Sequence, residues 1–534
     1  MSSHAESSEK SVIQEFYKGK NVLITGATGF MGKVLVEKLV RSCPETRICL
    51  ILRPKNGQSI DQRLDRFKAH KVFDRVREEN LESRLLNIDA LEGDLLEPEL
   101  GLNERDKERL AKTHIVFHCA ASVEFNQPLR EAVLRNAGAI LELMKIAKQM
   151  INLKAFVHVS TAYSNANLFK IDEIVYKNKL DYKTLLLVVK NDSSQTLGAV
   201  ESKVIEELPN TYVFSKALGE QVIADHEKIL PVTIFRPSIV TAAIAEPVPG
   251  WVDVMNGITW MMVGGATGVV RVLPVDSDKK ANFIPVDTSI NAMIACAWDV
   301  SRSIERGFGR KLVYNCAVDR TSEASYGDVM HSAEEYYNYP FLETFWYPNG
   351  MFIKNKTLCF FYSIFVHLIP ALLADAVALS LKKEPRLLAI QRKIYFGVTV
   401  FEYFLRHEWK FNNQNLHCLW DELGAADKQL FNFDLNQLVD FRTYLRIWIS
   451  GGRKYVMKLT EDSIPAAKRK LMRLYYLDWV AKSIGACLLL FFTRAFVPMP
   501  DSWLPIRIVA NFHEFEYFLL PEMRNATMFW GKTT

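Results

Sequence analysis

The stretch that decides the fold is NVLITGATGFMG, Asn21 to Gly32. A short apolar run, Asn21–Thr25, ends on a Gly-x-x-Gly-x-x-Gly turn. That turn passes straight into a helical pattern carried by Val34, Leu35, Leu39 and Val40. An apolar run without alternation is how a strand buried on both faces reads, and such strands belong to parallel sheets. Four further runs lie outward from this one: Ile48–Leu52, Ile115–His118, Phe156–Ser160 and Val232–Phe235. Helical stretches separate them. This βαβα order predicts a doubly wound α/β domain.

The turn itself implies a ligand. Its glycines permit a tight bend and close backbone approach to a pyrophosphate at the helix N-terminus. Strand, turn and helix in this order are the context the motif needs. The candidate contacts are Thr25, Gly26, Thr28, Gly29, Phe30, Met31 and Gly32. The next strand ends at Leu52-Arg53-Pro54-Lys55, where a site preferring NAD usually carries a carboxylate. Arg53 in its place suits the 2′-phosphate of NADP, the alternative being a solvated surface arginine. Asp94, after the strand-like Leu86–Leu91 region, is placed to receive the adenine amino group or to cap a turn.

The rest of the chain bounds the reading. Its 534 residues correspond to about three domains at about 150 residues each. Apolar residues make up 49% and charged residues 24%, which excludes a disordered chain or a fibre. A net charge of +5 over this length is too weak to argue for nucleic acid. The 8 cysteines are scattered, with no Cys-x-x-Cys pair, so a reducing, cytosol-facing compartment is expected. No His/Cys set has zinc spacing, and no metal site is expected. The polar start, MSSHAESSEK, has no apolar core of a signal peptide and reads as a disordered tail. The sequons at Asn191, Asn355 and Asn525 are then chance.

From about Lys354 the texture changes. Thr357–Leu381 is apolar for long enough to span a bilayer, but it contains His367, Pro370 and Asp375, which count against a simple span. Basic residues follow it closely. Phe401–Lys458, rich in aromatics and charge, reads as a small helical domain. A shorter apolar run, Ser483–Thr493, could dip into an interface.

Tyr212-Val-Phe-Ser-Lys216 puts a tyrosine and a lysine on one helix face. Neither is a useful acid or base alone. A lysine ammonium near the phenol, with a cationic nicotinamide, would lower the tyrosine pKa and let it exchange a proton near neutrality. The strand Phe156–Ser160 delivers Ser160 and Thr161 at its C-terminal end, where doubly wound sheets bind ligands. Thr161 is favoured over Ser160 as the hydroxyl that meets the reacting oxygen. His118 is expected either near the nicotinamide ribose or as a structural histidine. Cys119 lacks a nearby base and is a poor candidate for a thioester. Glycine turn, strand-end hydroxyl and Tyr/Lys helix, in that order, identify the chain as a member of the extended short-chain dehydrogenases/reductases.

Longer stretches narrow the resemblance. TGATGFMGKVLVEKLVRSCP (25–44), FHCAASVEF (117–125), HVSTAYSN (158–165), NTYVFSKALGE (210–220), FRPSIV (235–240, with Pro237 at the cofactor), PGWVDVMNG (249–257) and IPVDTSINAMIACAW (284–298) resemble the alcohol-forming fatty acyl-CoA reductases. WKFNNQNLHCLWDEL (409–423) and FNFDLNQLVDFRTYLRIWISGGRKYVMK (431–458) are similar to that family's C-terminal helical domain. Asn136-Ala-Gly-Ala139, and the segment after Tyr314–Val318, depart from the usual pattern. The interval from Thr161 to Tyr212 is longer than usual, so Ile171–Leu208 is expected as an insertion over the active site.

The resemblance implies reduction of a long-chain acyl-CoA to a primary alcohol, through an aldehyde, with two NADPH. Tyr212 would be the proton donor, Thr161 or Ser160 its partner, and Lys216 the holder of the ribose hydroxyls. It also gives the apolar runs a purpose, docking the enzyme on a membrane beside its amphiphilic substrate. A monotopic or hairpin attachment, both domains cytosolic, is expected on the endoplasmic reticulum or a peroxisomal membrane. The residues leave a homo-oligomer open. The expected organisation is a disordered tail (1–18), a reductase domain (19–350) with its substrate portion from about 240, a hydrophobic segment with a basic flank (351–400), a helical domain (401–475) and a tail with the second apolar run (476–534). Three other readings stay open: a sterol or other non-CoA carbonyl reductase, an acyl-CoA reductase that stops at the aldehyde, and a non-enzymatic NADPH-binding scaffold.

Overall fold

The computed structural model describes residues 10–496, apart from 256, 308–310, 320–322, 332–333 and 437–439. Residues 1–9 of the expected tail, and 497–534 with the Asn525 sequon, lie outside the described residues.

Seven parallel strands form the central sheet: β1 (Asn21–Thr25), β2 (Arg47–Leu52), β3 (Ile88–Glu92), β4 (Ile115–His118), β5 (Ala155–Val159), β6 (Val232–Pro237) and β7 (Val313–Cys316). Their spatial order is β7-β6-β5-β4-β1-β2-β3. The order reverses between β1 and β4, which creates the crevice where doubly wound sheets take a ligand. Thr25 is in register with Ile51 on one side and His118 on the other, so the strand ends line up there.

The unbroken apolar runs follow from two buried faces. Val22 and Ile24 of β1 enter one core, and Leu23 enters the other. The first core is completed by α2 (Phe30–Ser42) and by α7 (Val286–Glu305), which contributes Ile290, Met293 and Ile294. The second takes Leu218 and Val222 from α5 (Thr211–Asp225). Each fully buried aliphatic side chain contributes about 1.5–3 kcal/mol.

The N-terminal expectation needs correcting. Residues 12–17 are a helix, α1 (Val12–Tyr17), with Ile13 and Tyr17 buried. Asp427 accepts from Ser11 Oγ at 2.5 Å and from the Ile13 N–H at 3.1 Å. A carboxylate from far along the chain thus holds the start of this helix, beside a local cap in which Ser11 Oγ accepts from the Gln14 N–H at 3.0 Å.

The insertion also differs from expectation. Its helices α3 (Tyr182–Asn191) and α4 (Ser194–Ile205) pack Leu185, Leu186, Val189 and Leu197 into the second core. It therefore extends that core rather than roofing the active site.

Residues through Leu471 form one compact unit, and a second comprises Met472 onward. The expected reductase, hydrophobic and helical portions are thus not separate bodies. Lys356–Ser380 (α8) is a helix long and apolar enough to cross a membrane. It packs against α9 (Leu387–Arg406) as a hairpin. The three residues that argued against a simple span each have a use. Asp375 accepts from the Arg386, Leu387 and Leu388 N–H groups at 2.9–3.0 Å and so caps α9. His367 Nε2 accepts from the Arg271 N–H at 2.8 Å. Pro370 follows a π-helical turn at Ile364–Leu368, where a missing N–H is tolerated.

Farther on, α10 (Phe441–Gly451) lies against the Gly250 turn so closely that a β-carbon on Gly451 would meet the Gly250 carbonyl oxygen at 1.7 Å. The last described helix, α11, runs Ile464–Phe496 and contains the described part of the second apolar run. Ile484, Leu488 and Phe491 are exposed on it.

Candidate active site

The C-terminal ends of the central strands open into a cleft of about 720 Å³. Gly26, Gly29, Phe30, Met31 and Gly32 line it, together with Ser160, Thr161, Tyr212, Lys216 and Pro237. Most of the residues singled out in the sequence are therefore brought together.

The glycines are there for space. Gly26 has φ +73°, and a β-carbon on it would meet the Ala120 amide nitrogen at 2.5 Å. One on Gly32 would meet the Gly26 carbonyl oxygen at 2.3 Å. Gly29 N-caps α2 with no side-chain cap, and the first turn holds no acidic residue. A helix start of this kind offers N–H groups to an anion. Thr28 is exposed on the turn but does not line the cleft. The Thr25 side chain is buried, its Oγ1 hydrogen-bonded to His118 Nδ1 at 2.7 Å, and it does not line the cleft.

Arg53 and Asp94 lie outside the cleft lining. Arg53 donates to Asp94 Oδ2 at 3.2 Å, and Asp94 Oδ1 accepts from the Leu96 N–H at 3.1 Å. Asp94 therefore caps a turn and holds Arg53. A third participant was not legible as such: Arg63, which donates to the Arg53 carbonyl. Burial, then the charges of Arg53 and Arg66, hold the Arg63 guanidinium below its usual range. Crowded guanidiniums beyond the end of β2 are a place for a phosphate. The capping box Ser59–Gln62, which starts the helix carrying Arg63, was the local signal available.

Around the Tyr/Lys pair the chemistry is specific. Burial pushes the Tyr212 phenol up to about 12, and a hydrogen bond with Thr161 works in the other direction. Lys216 Nζ donates to the Val159 carbonyl at 2.6 Å, and burial brings its ammonium down to about 8, opposed by Glu220 and Cys119. Desolvation of the phenol dominates, and Lys216 is held on the strand-end carbonyl.

Ser160 and Thr161 separate clearly. Ser160 Oγ donates to Glu220 Oε1 at 2.5 Å. Glu220 is in turn bidentate with Arg236, at 2.8 and 2.6 Å, and both are fully buried. Thr161 is the hydroxyl bonded to Tyr212. The Glu220–Arg236 pair was missed in the sequence, although Glu220 follows Lys216 by one helical turn and Arg236 interrupts an apolar strand.

His118 is buried, stacked on His158 with ring centroids 5.3 Å apart, and burial brings its pKa down to about 3. It is a neutral structural histidine. Cys119 lines the cleft, but burial pushes its thiol up to about 12, so it holds no thiolate. The roof comes from an unexpected element. Phe125 packs edge-on to Tyr212 at 5.1 Å and to Phe401 at 4.9 Å, and Phe404 lies 5.6 Å from Phe125. Phe401 and Phe404 belong to α9, the second arm of the apolar hairpin.

A parallel doubly wound sheet with this crevice, glycine turn and Tyr/Lys helix defines a dinucleotide-binding domain of the extended short-chain dehydrogenase/reductase type. Comparison with known proteins narrows it. Residues 24–293 match the NAD-binding family described as male sterility protein, and residues 366–459 match the Sterile family of the same description. The chain is 37% identical over 465 residues to human fatty acyl-CoA reductase 1, covering 86% of this chain and 89% of that protein. It is 35% identical over 482 residues to fatty acyl-CoA reductase wat of Drosophila melanogaster, covering 89% and 92%. The chain belongs to the fatty acyl-CoA reductase family. Among solved structures, the terminal R domain of the myxalamid biosynthetic pathway superposes with a TM-score of 0.52 at 17% identity, over 83% of this chain and 93% of that one. That likeness shows the fold alone.

Proposed function

We propose that this protein reduces a long-chain fatty acyl-CoA to the primary alcohol with NADPH, releasing CoA and passing through the aldehyde. The observation that carries the reading is the meeting of Tyr212, Lys216, Thr161 and the glycine turn in one cleft beneath apolar helices. The relatives' names supply the substrate class, and the Arg53–Arg63 pair supports NADPH over NADH.

The residues fit a dinucleotide. Gly26, Gly29 and Gly32 would lie against its pyrophosphate, Arg53 against its 2′-phosphate and Lys216 against its ribose hydroxyls. Bound NADPH supplies hydride to the carbonyl carbon. Tyr212 and Thr161 hold the carbonyl oxygen and stabilise the negative charge that develops on it. A phenol at about 12 stays protonated at neutral pH, yet it is a stronger acid than water or an ordinary alcohol. Tyr212 therefore donates its proton to that oxygen and is reprotonated from solvent. The hemithioacetal so formed collapses: the C–S bond breaks, CoA leaves as the thiol with the hydroxyl proton, and the aldehyde remains. A second round at the same residues gives the alcohol. Cys119, protonated, has no part.

The exposed apolar face of the hairpin, with Phe365 67% and Leu373 64% exposed, docks the enzyme in one leaflet with its catalytic face in the cytosol. Its second arm would then carry the bilayer surface to the roof of the site.

The test is a product assay on membranes containing the protein, with palmitoyl-CoA and either NADPH or NADH, beside Tyr212→Phe. Fatty alcohol with NADPH, lost in the variant, is expected. Aldehyde alone would reduce the claim to a two-electron enzyme, and no CoA-dependent product would overturn it.

A further inference from the structure

We propose that a second chamber, opening off the cleft, receives the far end of the acyl chain, and that Gly265 sets the length it accepts. The inference rests on the acyl-CoA reading above. The chamber is a narrow apolar slot of about 110 Å³, smaller than a whole small-molecule site at roughly 300–1,000 Å³, so it takes the end of a chain and not a complete ligand. It shares four wall residues with the catalytic cleft: Ile258, Met261, Tyr326 and Leu405. The two spaces therefore adjoin, and an acyl chain with its carbonyl at Tyr212 would pass between these residues.

Beyond that shared wall the lining changes character. α6 (Ile258–Ala266) turns Ile258, Met261, Met262 and Gly265 toward the chamber. These positions are i, i+3, i+4 and i+7, one face of a helix. Ile258 to Gly265 extends about 10 Å at 1.5 Å per residue. Phe352 and Trp448 close other sides. The charged side chain of the lining, Arg271, is occupied: its guanidinium lies 5.4 Å from the Trp346 ring centroid. A space walled by hydrocarbon holds water poorly and takes an apolar ligand instead.

The glycines of α6 single out one position. A β-carbon on Gly264 would meet Val270 Cγ2 at 2.7 Å, so packing explains that glycine. A β-carbon on Gly265 would meet nothing within 4 Å. Glycine weakens a helix relative to alanine, and packing gives no reason for it here. What its missing side chain leaves is room inside the chamber.

The experiment uses full-length protein in membranes. The ratio of kcat/KM for stearoyl-CoA to that for lauroyl-CoA is measured for the unmodified chain, Gly265→Ala and Gly265→Leu. The ratio is expected to fall by about tenfold or more in Gly265→Leu, and by less in Gly265→Ala. An active wild type with an unchanged ratio in both variants would overturn the chamber and leave the acyl-CoA reading standing. A wild type inactive on both substrates would overturn the acyl-CoA reading and this inference with it. Should Gly265→Leu fail to fold, the unmodified protein is labelled with palmitoyl-CoA bearing a diazirine at its terminal carbon. Crosslinks within 258–273, displaced by unlabelled palmitoyl-CoA, are expected; crosslinks confined to 356–400, or not displaced, would overturn the proposal.

Discussion

Ser160 and Thr161 are adjacent hydroxyls with different partners, and the difference is measurable. Thr161→Val removes the hydroxyl bonded to Tyr212 and is expected to lower kcat about 10²–10³-fold, with a stability loss of about 1 kcal/mol because the buried Tyr163 N–H also loses its acceptor. Ser160→Ala removes a donor to the buried Glu220 and is expected to keep kcat while costing about 1 kcal/mol of stability. Paired kinetics and thermal unfolding check both. Lys216 shows a second trade. Its ammonium is disfavoured by burial, so its folded-state pKa of about 8 lies below the ordinary 10.5. The penalty is fully present below pH 8 and fades as pH rises toward 10.5, because the unfolded chain binds the extra proton over that window. Lys216→Met should therefore raise stability at pH 7 by about 1–3 kcal/mol while abolishing turnover. In the unmodified enzyme kcat/KM should fall as pH rises through about 8, where the ammonium that would hold the ribose is lost. A stability loss at pH 7, or turnover retained in Lys216→Met, would contradict this. Tyr212, Lys216 and the glycines were legible because spacing and context both pointed to them. The choice between Ser160 and Thr161 was not settled, because it depends on Glu220, whose place beside Ser160 comes from folding rather than from sequence neighbourhood.

At the scale of elements, the contact between α10 and the Gly250 turn joins two motifs that the sequence presents far apart. PGWVDVMNG and RIWISGGRK were each visible, but nothing in either says that the two backbones touch. Gly451→Ala would drive a β-carbon into the Gly250 carbonyl and is expected to cost about 3 kcal/mol or more, seen as a drop in Tm or loss of soluble protein. Gly485→Ala, where a β-carbon meets nothing, is the control. The strands were legible for a simpler reason, since burial on both faces writes itself as an unbroken apolar run. The insertion helices were misjudged because the second core they join is built from distant parts of the chain, whereas α1 was overlooked although Ser11-x-x-Gln14 is a local cap signal. The hairpin lies between these cases. Its length and apolarity were plain, whereas the use of Asp375 as a cap for α9 needed the turn to be seen.

On the scale of the whole molecule, the hairpin connects a surface to a reaction. One arm exposes Phe365 and Leu373, and the other places Phe401 and Phe404 beside Phe125 over Tyr212. The double variant Phe365→Glu, Leu373→Glu is expected to shift the protein from the membrane pellet toward the soluble fraction without lowering its Tm, because neither side chain is packed. Unchanged partition would place the attachment elsewhere. Architecture at this scale was only partly legible: successive pieces along the chain were recognisable, but their closing into one body around the cleft was not. The central claim is that one site performs two successive reductions of a single carbon. The measurement that tests it most directly uses NADPH carrying two deuteriums at C4, with unlabelled palmitoyl-CoA, followed by mass spectrometry of the product. Hexadecanol with two deuteriums at C1, absent in Tyr212→Phe, is the predicted result. Aldehyde bearing one deuterium as the sole product, or alcohol formed undiminished by the variant, would contradict it.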